Sequence, residues 1–309
     1  MRVVRRLEPG DVDDVVNAVA ARFRADASRH TLVNPNISRE GLAVAFAQSS
    51  DATWVAHDAG LLTGHLHGTL LENADHGRGI WISPDGLSFD SADTLADLYR
   101  VAGATWIGEH AYEHYVWTVD DRAATEPWYE LGFARMHQRG VLALDAPAPA
   151  RFAPGYSVRS GGPDDLDQAM QLDAELDAAQ HEGPSFVIGA DHASSREDLR
   201  ELLEDPDVRH YVVEFNGEGV AQCLTYPLGQ IRGSFDDTVH LSAVVVRAAH
   251  RGHGVATAMI DTAINDALDD GFAHAEANWR VTNRSAAHFW RGYGFRATYV
   301  RLHRTIGPH

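Results

Sequence analysis

Two rhythms of apolar and polar residues alternate along the second half of the chain. His210–Phe215 and Val220–Tyr226 alternate with period two across Asn216-Gly217, which predicts a β-hairpin closed by a tight turn. Val239–Val246 predicts a further strand, ending in three consecutive valines. Val255, Ala256, Met259, Ile260, Ala263, Ile264, Ala267 and Leu268 then fall on one stripe of a helix, which Asp269-Asp270-Gly271 stops. A strand near His274–Trp279 and a short helix after Asn283 follow. Upstream, a short strand leads into a helix that carries Pro163 and Asp164 in its first turn.

The first half repeats this plan. Pro9-Gly-Asp-Val-Asp-Asp-Val15 matches Pro163-Asp-Asp-Leu-Asp-Gln-Ala169, Trp54–Gly60 matches Tyr211–Gly217, and Gly132-Phe133 matches Gly294-Phe295. Three anchors in the same order, at slowly growing offsets, mean tandem copies of one mixed α/β domain. Between them Asp145–Gly155 carries Pro147, Pro149 and Pro154 among alanines, a semi-extended composition typical of a linker. The expected organisation is a first domain at 1–145, a linker at 146–154 and a second domain at 155–309.

Composition narrows the function. The chain has 309 residues, 26 basic against 44 acidic, and a net charge of −18. Every basic residue is arginine, so lysine-dependent phosphate loops and Schiff bases are excluded. One cysteine, Cys223, excludes an intrachain disulfide and an all-cysteine zinc site. The acidity argues against nucleic acid and anionic membranes as partners. The N-terminal segment has no apolar signal-like core, and the aliphatic runs are only strand-length, so the expected location is cytoplasmic.

Arg247-Ala-Ala-His-Arg251-Gly252-His253-Gly254-Val255-Ala256 joins the valine-rich strand to the long helix. Glycines at a helix mouth let several backbone N–H groups converge where the helix dipole is positive, which suits a phosphate or pyrophosphate. A P-loop would need a lysine. A dinucleotide fingerprint would need Gly or Ala where Thr257 stands.

The segment resembles the GNAT superfamily of acyl-CoA-dependent N-acyltransferases. Their pyrophosphate motif, Gln/Arg-x-x-Gly-x-Gly/Ala, is satisfied by Arg251-Gly-His-Gly254-Val-Ala256. Downstream, Asn283-Arg-Ser-Ala286-Ala-His-Phe289-Trp290-Arg-Gly-Tyr-Gly294-Phe295 is similar to the family's segment of Asn, Ala, aromatic pair and Gly-Phe. The resemblance spans Tyr156 to Ile306. It implies an α/β (α+β mixed-sheet) class with two tandem GNAT-like domains, each a twisted mixed sheet flanked by helices. It also implies that the central strands part to admit pantetheine along Val244, Val245 and Val246. Arg251, Gly252, His253, Gly254, Val255 and Ala256 would hold the pyrophosphate, with Asn283, Ala286 and Trp290 as further coenzyme contacts. The matching junction of the first copy, Ile82-Ser-Pro-Asp-Gly-Leu-Ser-Phe-Asp90, has one glycine, no arginine and two aspartates, which makes that copy a degenerate one.

The resemblance further implies acetyl-CoA as co-substrate, no metal, and an amine of a small molecule or peptide as acceptor. The amine would attack directly through a tetrahedral intermediate, and a homodimer is an allowed assembly. The family often places a carboxylate base at the start of the valine strand; here that position is His240, a residue able to accept a proton near neutrality. Ser242 shares its face and could relay a proton. The family's tyrosine acid is replaced by Trp290, and Tyr293 is expected in the core beside Phe295. These departures keep a non-catalytic acyl-CoA sensor open as an alternative, with a mycothiol-synthase-like enzyme as another.

Three signals point elsewhere. His110-Ala-Tyr-Glu113-His114 fits an inverted zinc-protease spacing, but falls where the repeat needs a helix end and a strand at Tyr115–Val119. His65 and His67 share one strand face and are expected at the surface. Glu182, Ser185 and His192 lie in Gln180–Ser195, where acceptor-binding loops of the family occur.

Overall fold

The structure, a computed structural model, describes residues 2–73, 77–187, 196–229 and 233–307. In chain order the elements are β1 (Val3–Arg6), α1 (Val12–Arg29), α2 (Arg39–Gln48), β2 (Thr53–Asp58), β3 (Leu61–His67), β4 (Thr69–Asn73), β5 (Gly77–Ile82), β6 (Leu87–Phe89), α3 (Ala92–Gly108), β7 (Ala111–Val119), α4 (Arg122–Glu130) and β8 (Ala134–Ala143). The second copy follows with β9 (Tyr156–Ser160), α5 (Leu166–His181), α6 (Arg196–Glu204), β10 (Arg209–Phe215), β11 (Glu218–Pro227), β12 (Thr238–Val246), α7 (Val255–Asp269), β13 (His274–Arg280), α8 (Arg284–Tyr293) and β14 (Arg296–Thr305).

The repeat read from the sequence is a structural repeat. In each copy an arginine of the first strand pairs with an aspartate at the start of the first helix: Arg5 with Asp11 and Arg159 with Asp165, both at 2.6 Å. Both hairpins turn through two left-handed residues, Ala59-Gly60 and Asn216-Gly217, the backbone that a two-residue turn with right-handed strand twist requires.

The chain forms two compact units, 1–138 with 232–234 and 297–309, and 139–231 with 235–296. The first contains the sheet β1-β2-β3-β6, and a second sheet in which β4-β5-β7-β14 is followed by the first half of β8. The second unit is built on β13-β12-β11-β10-β9, with the latter half of β8 beside β13. These limits differ from the sequence expectation of 1–145 and 155–309. The closing strand β14 pairs with β7 from Tyr299 opposite Val119 to Thr305 opposite Glu113, within the first unit. The proline-alanine segment belongs to the second unit. Asn265 of α7 accepts from the Ala148 amide at 2.7 Å and donates to the Ala148 carbonyl at 3.0 Å. Composition reports that such a stretch forms no helix; it does not report what docks on it.

The core of the second unit is the stripe foreseen on α7. Val255, Met259, Ile260, Ala263, Ile264 and Ala267 pack on Val239 and Leu241 of β12, with Ala275, Ala277 and Trp279 of β13. Each large apolar side chain buried this way contributes about 1.5–3 kcal/mol. No helix among the described residues is long and apolar enough to cross a membrane.

Two histidine expectations change. His65 is fully buried rather than at the surface, with Nδ1 2.6 Å from the Ser88 hydroxyl and Nε2 3.1 Å from the Asp85 carbonyl. His67 is partly buried beside Thr53. The alternation of β3 misled because the face bearing His65 is covered by α2, whose Phe46 meets the imidazole edge-on at 5.4 Å, rather than by water. His110 sits in a left-handed turn and His114 is buried on β7, bonded to the Tyr99 hydroxyl and the Ala111 carbonyl. Among the described residues no group of three His, Cys, Asp or Glu is placed to hold a metal ion.

Burial lowers the affinity of these imidazoles for protons: His65 is pushed down to about 3 and His114 to about 4, while His67, His210 and His240 shift the same way. The unfolded chain therefore binds more protons below the ordinary value of about 6.5, so stability is held above that pH and lost as pH falls through the folded values. The thermal midpoint is expected to drop steadily from pH 7 to pH 5. A flat midpoint over that interval would contradict the buried, neutral state.

Candidate active site

The site begins with a fault in β12. Against β11, Ser242 faces Leu224 and Val245 faces Gln222, so Ala243 and Val244 together oppose the single residue Cys223. Ala243 absorbs the extra residue in a left-handed conformation, φ 48°. For a residue with a Cβ this costs about 1–2 kcal/mol. Such bulges re-aim the strand that carries them and cluster near functional sites.

On its other edge β12 runs parallel to β13, but only from Thr238 opposite His274 to Leu241 opposite Ala277. Beyond that point the strands part, although β12 continues to Val246 and β13 to Arg280. The edge from Ser242 to Val246 is left without a β13 partner. Of the three valines expected there, Val245 is buried, while Val244 and Val246 are half-buried against the core. This is backbone able to pair with an extended ligand, as an added strand would.

The glycine loop follows directly. Gly252 has φ 81° and Gly254 has φ 75°, with open space where a Cβ would stand. The Gly254 carbonyl accepts from Ala258, the first helical bond of α7, so the amides of Val255, Ala256 and Thr257 have no acceptor within the helix. Arg251 is exposed and its Nε donates to the Val246 carbonyl at 2.9 Å, which ties the loop to the end of β12. His253 is exposed, 6.4 Å from the Tyr156 ring, and His250 Nδ1 lies 3.0 Å from the Tyr156 hydroxyl. The loop thus leaves bare amides at the positive end of α7, with exposed Arg251 a few residues before them.

His240 stands one pair before the strands separate, in register with Glu276 of β13. It is 8% exposed, and its Nδ1 is 3.8 Å from a Glu276 carboxylate oxygen. Glu276 in turn forms a buried ion pair at 3.3 Å with Arg139 of β8. Burial dominates the shift of His240 and lowers its proton affinity; Glu276 opposes that and Arg139 adds to it. Tyr226, opposite His240 on β11, has its ring tilted 44° to the imidazole at 5.1 Å and hydrogen-bonds with Ser242. Sequence reading missed Ala243, Glu276, Arg139 and Tyr226. Only Glu276 had a signal, a lone carboxylate between alanines in a strand.

At the other side of the split lies α8. Asn283 caps it, its side chain accepting from the Ala286 amide at 3.0 Å, and Ala286 packs on the core. Trp290 is buried, edge-on to Phe295 at 4.9 Å and to Phe289 at 5.1 Å. Tyr293 lies beside Phe295 as expected, and its hydroxyl donates to buried Asp261 of α7 at 2.6 Å. Burial and that carboxylate push the phenol strongly upward, so it ties two helices and is a poor acid. Tyr293→Phe is expected to cost about 1–3 kcal/mol in denaturant unfolding, the usual penalty for a buried group left unpaired. Coenzyme turnover should be unaffected; a large loss of kcat with stability intact would restore Tyr293 as a proton donor.

Glu182 and Ser185 lie in the turn after α5, where the Ser185 amide donates to the Glu182 carbonyl at 3.0 Å. His192 lies outside the described residues.

The first unit differs at the equivalent junction. There the chain after β5 forms β6, whose Leu87 and Ser88 pair with Leu66 and His65 of β3 and are buried. Its amides are spent on a sheet.

Residues 176–295 match the family model described as acetyltransferase (GNAT) family. Over the whole chain the fold is similar to a GCN5-related N-acetyltransferase from Sphaerobacter thermophilus, with TM-score 0.66 at 18% identity, covering 99% of this chain and 96% of that one. It is also similar to a tandem GNAT protein from the clavulanic acid biosynthesis pathway, with TM-score 0.56 at 16% identity and full coverage of both chains, 100% and 100%. A GCN5-related N-acetyltransferase from Kribbella flavida aligns with TM-score 0.52 at 15% identity, covering 79% of this chain and 86% of that one. No curated protein matches the sequence. The parted strands, the bulge and the bare helix mouth all fall inside the segment 176–295 that matches the acetyltransferase (GNAT) family model.

Proposed function

We propose that the second unit transfers an acetyl group from acetyl-CoA to an amine of a small molecule or peptide. The observation that carries this reading is the separation of β12 from β13 after Leu241, directly ahead of the bare amides at the mouth of α7. Arg251, Gly252, His253, Gly254, Val255 and Ala256 would take the pyrophosphate, and Val244, Val245 and Val246 would pair with pantetheine. Asn283 and Ala286 would border the arm from α8. Trp290, sealed in the core, would serve by fixing that helix.

In the reaction, the amine nitrogen attacks the thioester carbonyl and His240 accepts the proton it sheds. A backbone N–H of the valine segment holds the oxyanion of the tetrahedral intermediate. The C–S bond then breaks and the CoA thiolate leaves; with a pKa of about 8.5 for a free thiol, it needs little help from an acid. The first unit, with β6 filling its junction, would be a degenerate copy that binds no coenzyme.

Trp290 and the engaged Tyr293 leave the usual acid position without a proton donor, which favours a second reading as an acyl-CoA sensor without turnover. Calorimetry with acetyl-CoA, followed by thiol release against a panel of amines, separates the two. Binding in the second unit with turnover supports the enzyme, binding alone supports the sensor, and no binding removes both.

A further inference from the structure

We infer that Glu276 is a positioning residue for the proposed base, holding His240 by its Nδ1–H so that Nε2 is the nitrogen that accepts the proton. The inference rests on the reading of His240 above.

Three observations point to it. His240 and Glu276 are direct partners in the last stretch of the parallel pairing, one pair before the strands part, so the sheet itself fixes their register. His240 Nδ1 is buried with no hydrogen-bond partner among the described residues, and the polar atom it faces is the Glu276 carboxylate, 3.8 Å away. Glu276 is 1% exposed and forms an ion pair with Arg139 at 3.3 Å.

The order Arg139–Glu276–His240 has a consequence for the proton. A bare buried carboxylate beside an imidazole would keep it protonated. Arg139 offsets that pull, and burial outweighs it, so the ring is neutral at rest. The tautomer of a neutral imidazole is set by what its other nitrogen bonds to. A carboxylate can only accept, so Nδ1 carries the hydrogen and Nε2 is left with its lone pair. When the amine nitrogen gives its proton to Nε2, the imidazolium draws its Nδ1–H toward the Glu276 carboxylate, 3.8 Å away at rest. No proton passes to the carboxylate, and the proton on Nε2 later goes to solvent or the departing thiolate.

The groups facing His240 are Glu276 from β13, Arg139 from β8 and the Tyr226 phenol from β11. From α5, Leu166, Ala169 and Met170 pack beside Leu224 of β11, Gln180 accepts from Arg280 of β13 at 2.9 Å, and Glu175 lies 3.8 Å from Arg247 beyond the end of β12. The pH response of His240 is therefore expected to follow Glu276 closely.

The test combines kinetics with NMR of the imidazole nitrogens in the full chain. In the wild type His240 should show the Nδ1–H tautomer. Glu276→Gln should lower its titration midpoint, weaken the tautomer preference and cut kcat by about 10–100-fold, a part of the roughly 100-fold or more that a general base contributes. The acetyl-CoA Kd should not move. Glu276→Asp should restore part of kcat. In the double variant with His240→Ala, Glu276→Gln should add nothing further. An Nε2–H tautomer in the wild type, or additive losses in the double variant, would overturn the inference. Should Glu276→Gln fail to fold, the wild-type tautomer and Glu276→Asp still decide it. Absence of turnover with every amine would instead sink the enzymatic reading, leaving the tautomer measurement to judge the positioning.

Discussion

Arg251→Glu is expected to weaken acetyl-CoA binding by about 100-fold or more. The guanidinium stands at the loop that precedes the unbonded amides of α7, and a charge-assisted contact to phosphate contributes about 1.5–3 kcal/mol. Reversing the charge removes that contact and adds repulsion of about 1 kcal/mol at contact distance in a water-like medium. The sum corresponds to two to three decades in Kd, lessened by salt because the site is exposed. The fold should be intact, since among the described residues the side-chain bond lost is the exposed one to the Val246 carbonyl. Arg251→Gln should be the milder change, as glutamine can still donate to phosphate and to that carbonyl. Calorimetry at two ionic strengths reads both effects. A Kd within about threefold of wild type for the glutamate variant would mean that the coenzyme phosphates are bound elsewhere.

His240→Ala is expected to reduce kcat by about 100- to 1,000-fold at neutral pH, a usual range for removal of a general base, with acetyl-CoA affinity unchanged. The sign of the pH effect follows from burial. A base works in its neutral form, and the His240 affinity for protons is lowered, so the wild-type acid limb should lie below the ordinary histidine value of about 6.5. In the alanine variant the remaining rate should rise with pH, following the population of free amine, so the deficit is greatest at neutral and lower pH. Because the site is buried, thermal melting must accompany the kinetics; His240→Gln keeps most of the volume and serves as the control for packing. An unchanged pH–rate profile would reduce His240 to a structural residue of β12.

The strength of these two tests differs because the two halves of the site were legible to different degrees. The loop was readable since its chemistry is local. Arg251, Gly252 and Gly254 are adjacent in sequence, and two left-handed backbones at a helix mouth call for glycine whatever surrounds them. The helix stripe on α7 and the turn at Asn216-Gly217 were readable for the same reason, each being set by a period or by one backbone torsion. His240 was placed on the right strand, but its environment was not foreseen. Its partners Glu276 and Arg139 come from two other strands, and nothing in the spacing of the three residues reveals that the sheet brings them together.

The tandem repeat, the hairpins and the glycine turns at the mouth of α7 were determined by the sequence itself, because each is written in neighbouring residues whose preferences do not depend on distant contacts. Tertiary structure alone decided where the units divide, that β14 closes the first unit, and that α2 covers the face of β3 bearing His65. It also decided that β12 bulges at Ala243, an alanine with no preference for a left-handed backbone, and that β12 parts from β13 after Leu241. Strand pairing is a choice among many edges of similar composition, and it is settled by which pairing buries the most apolar surface at once, a quantity that belongs to the whole fold and to no segment of it.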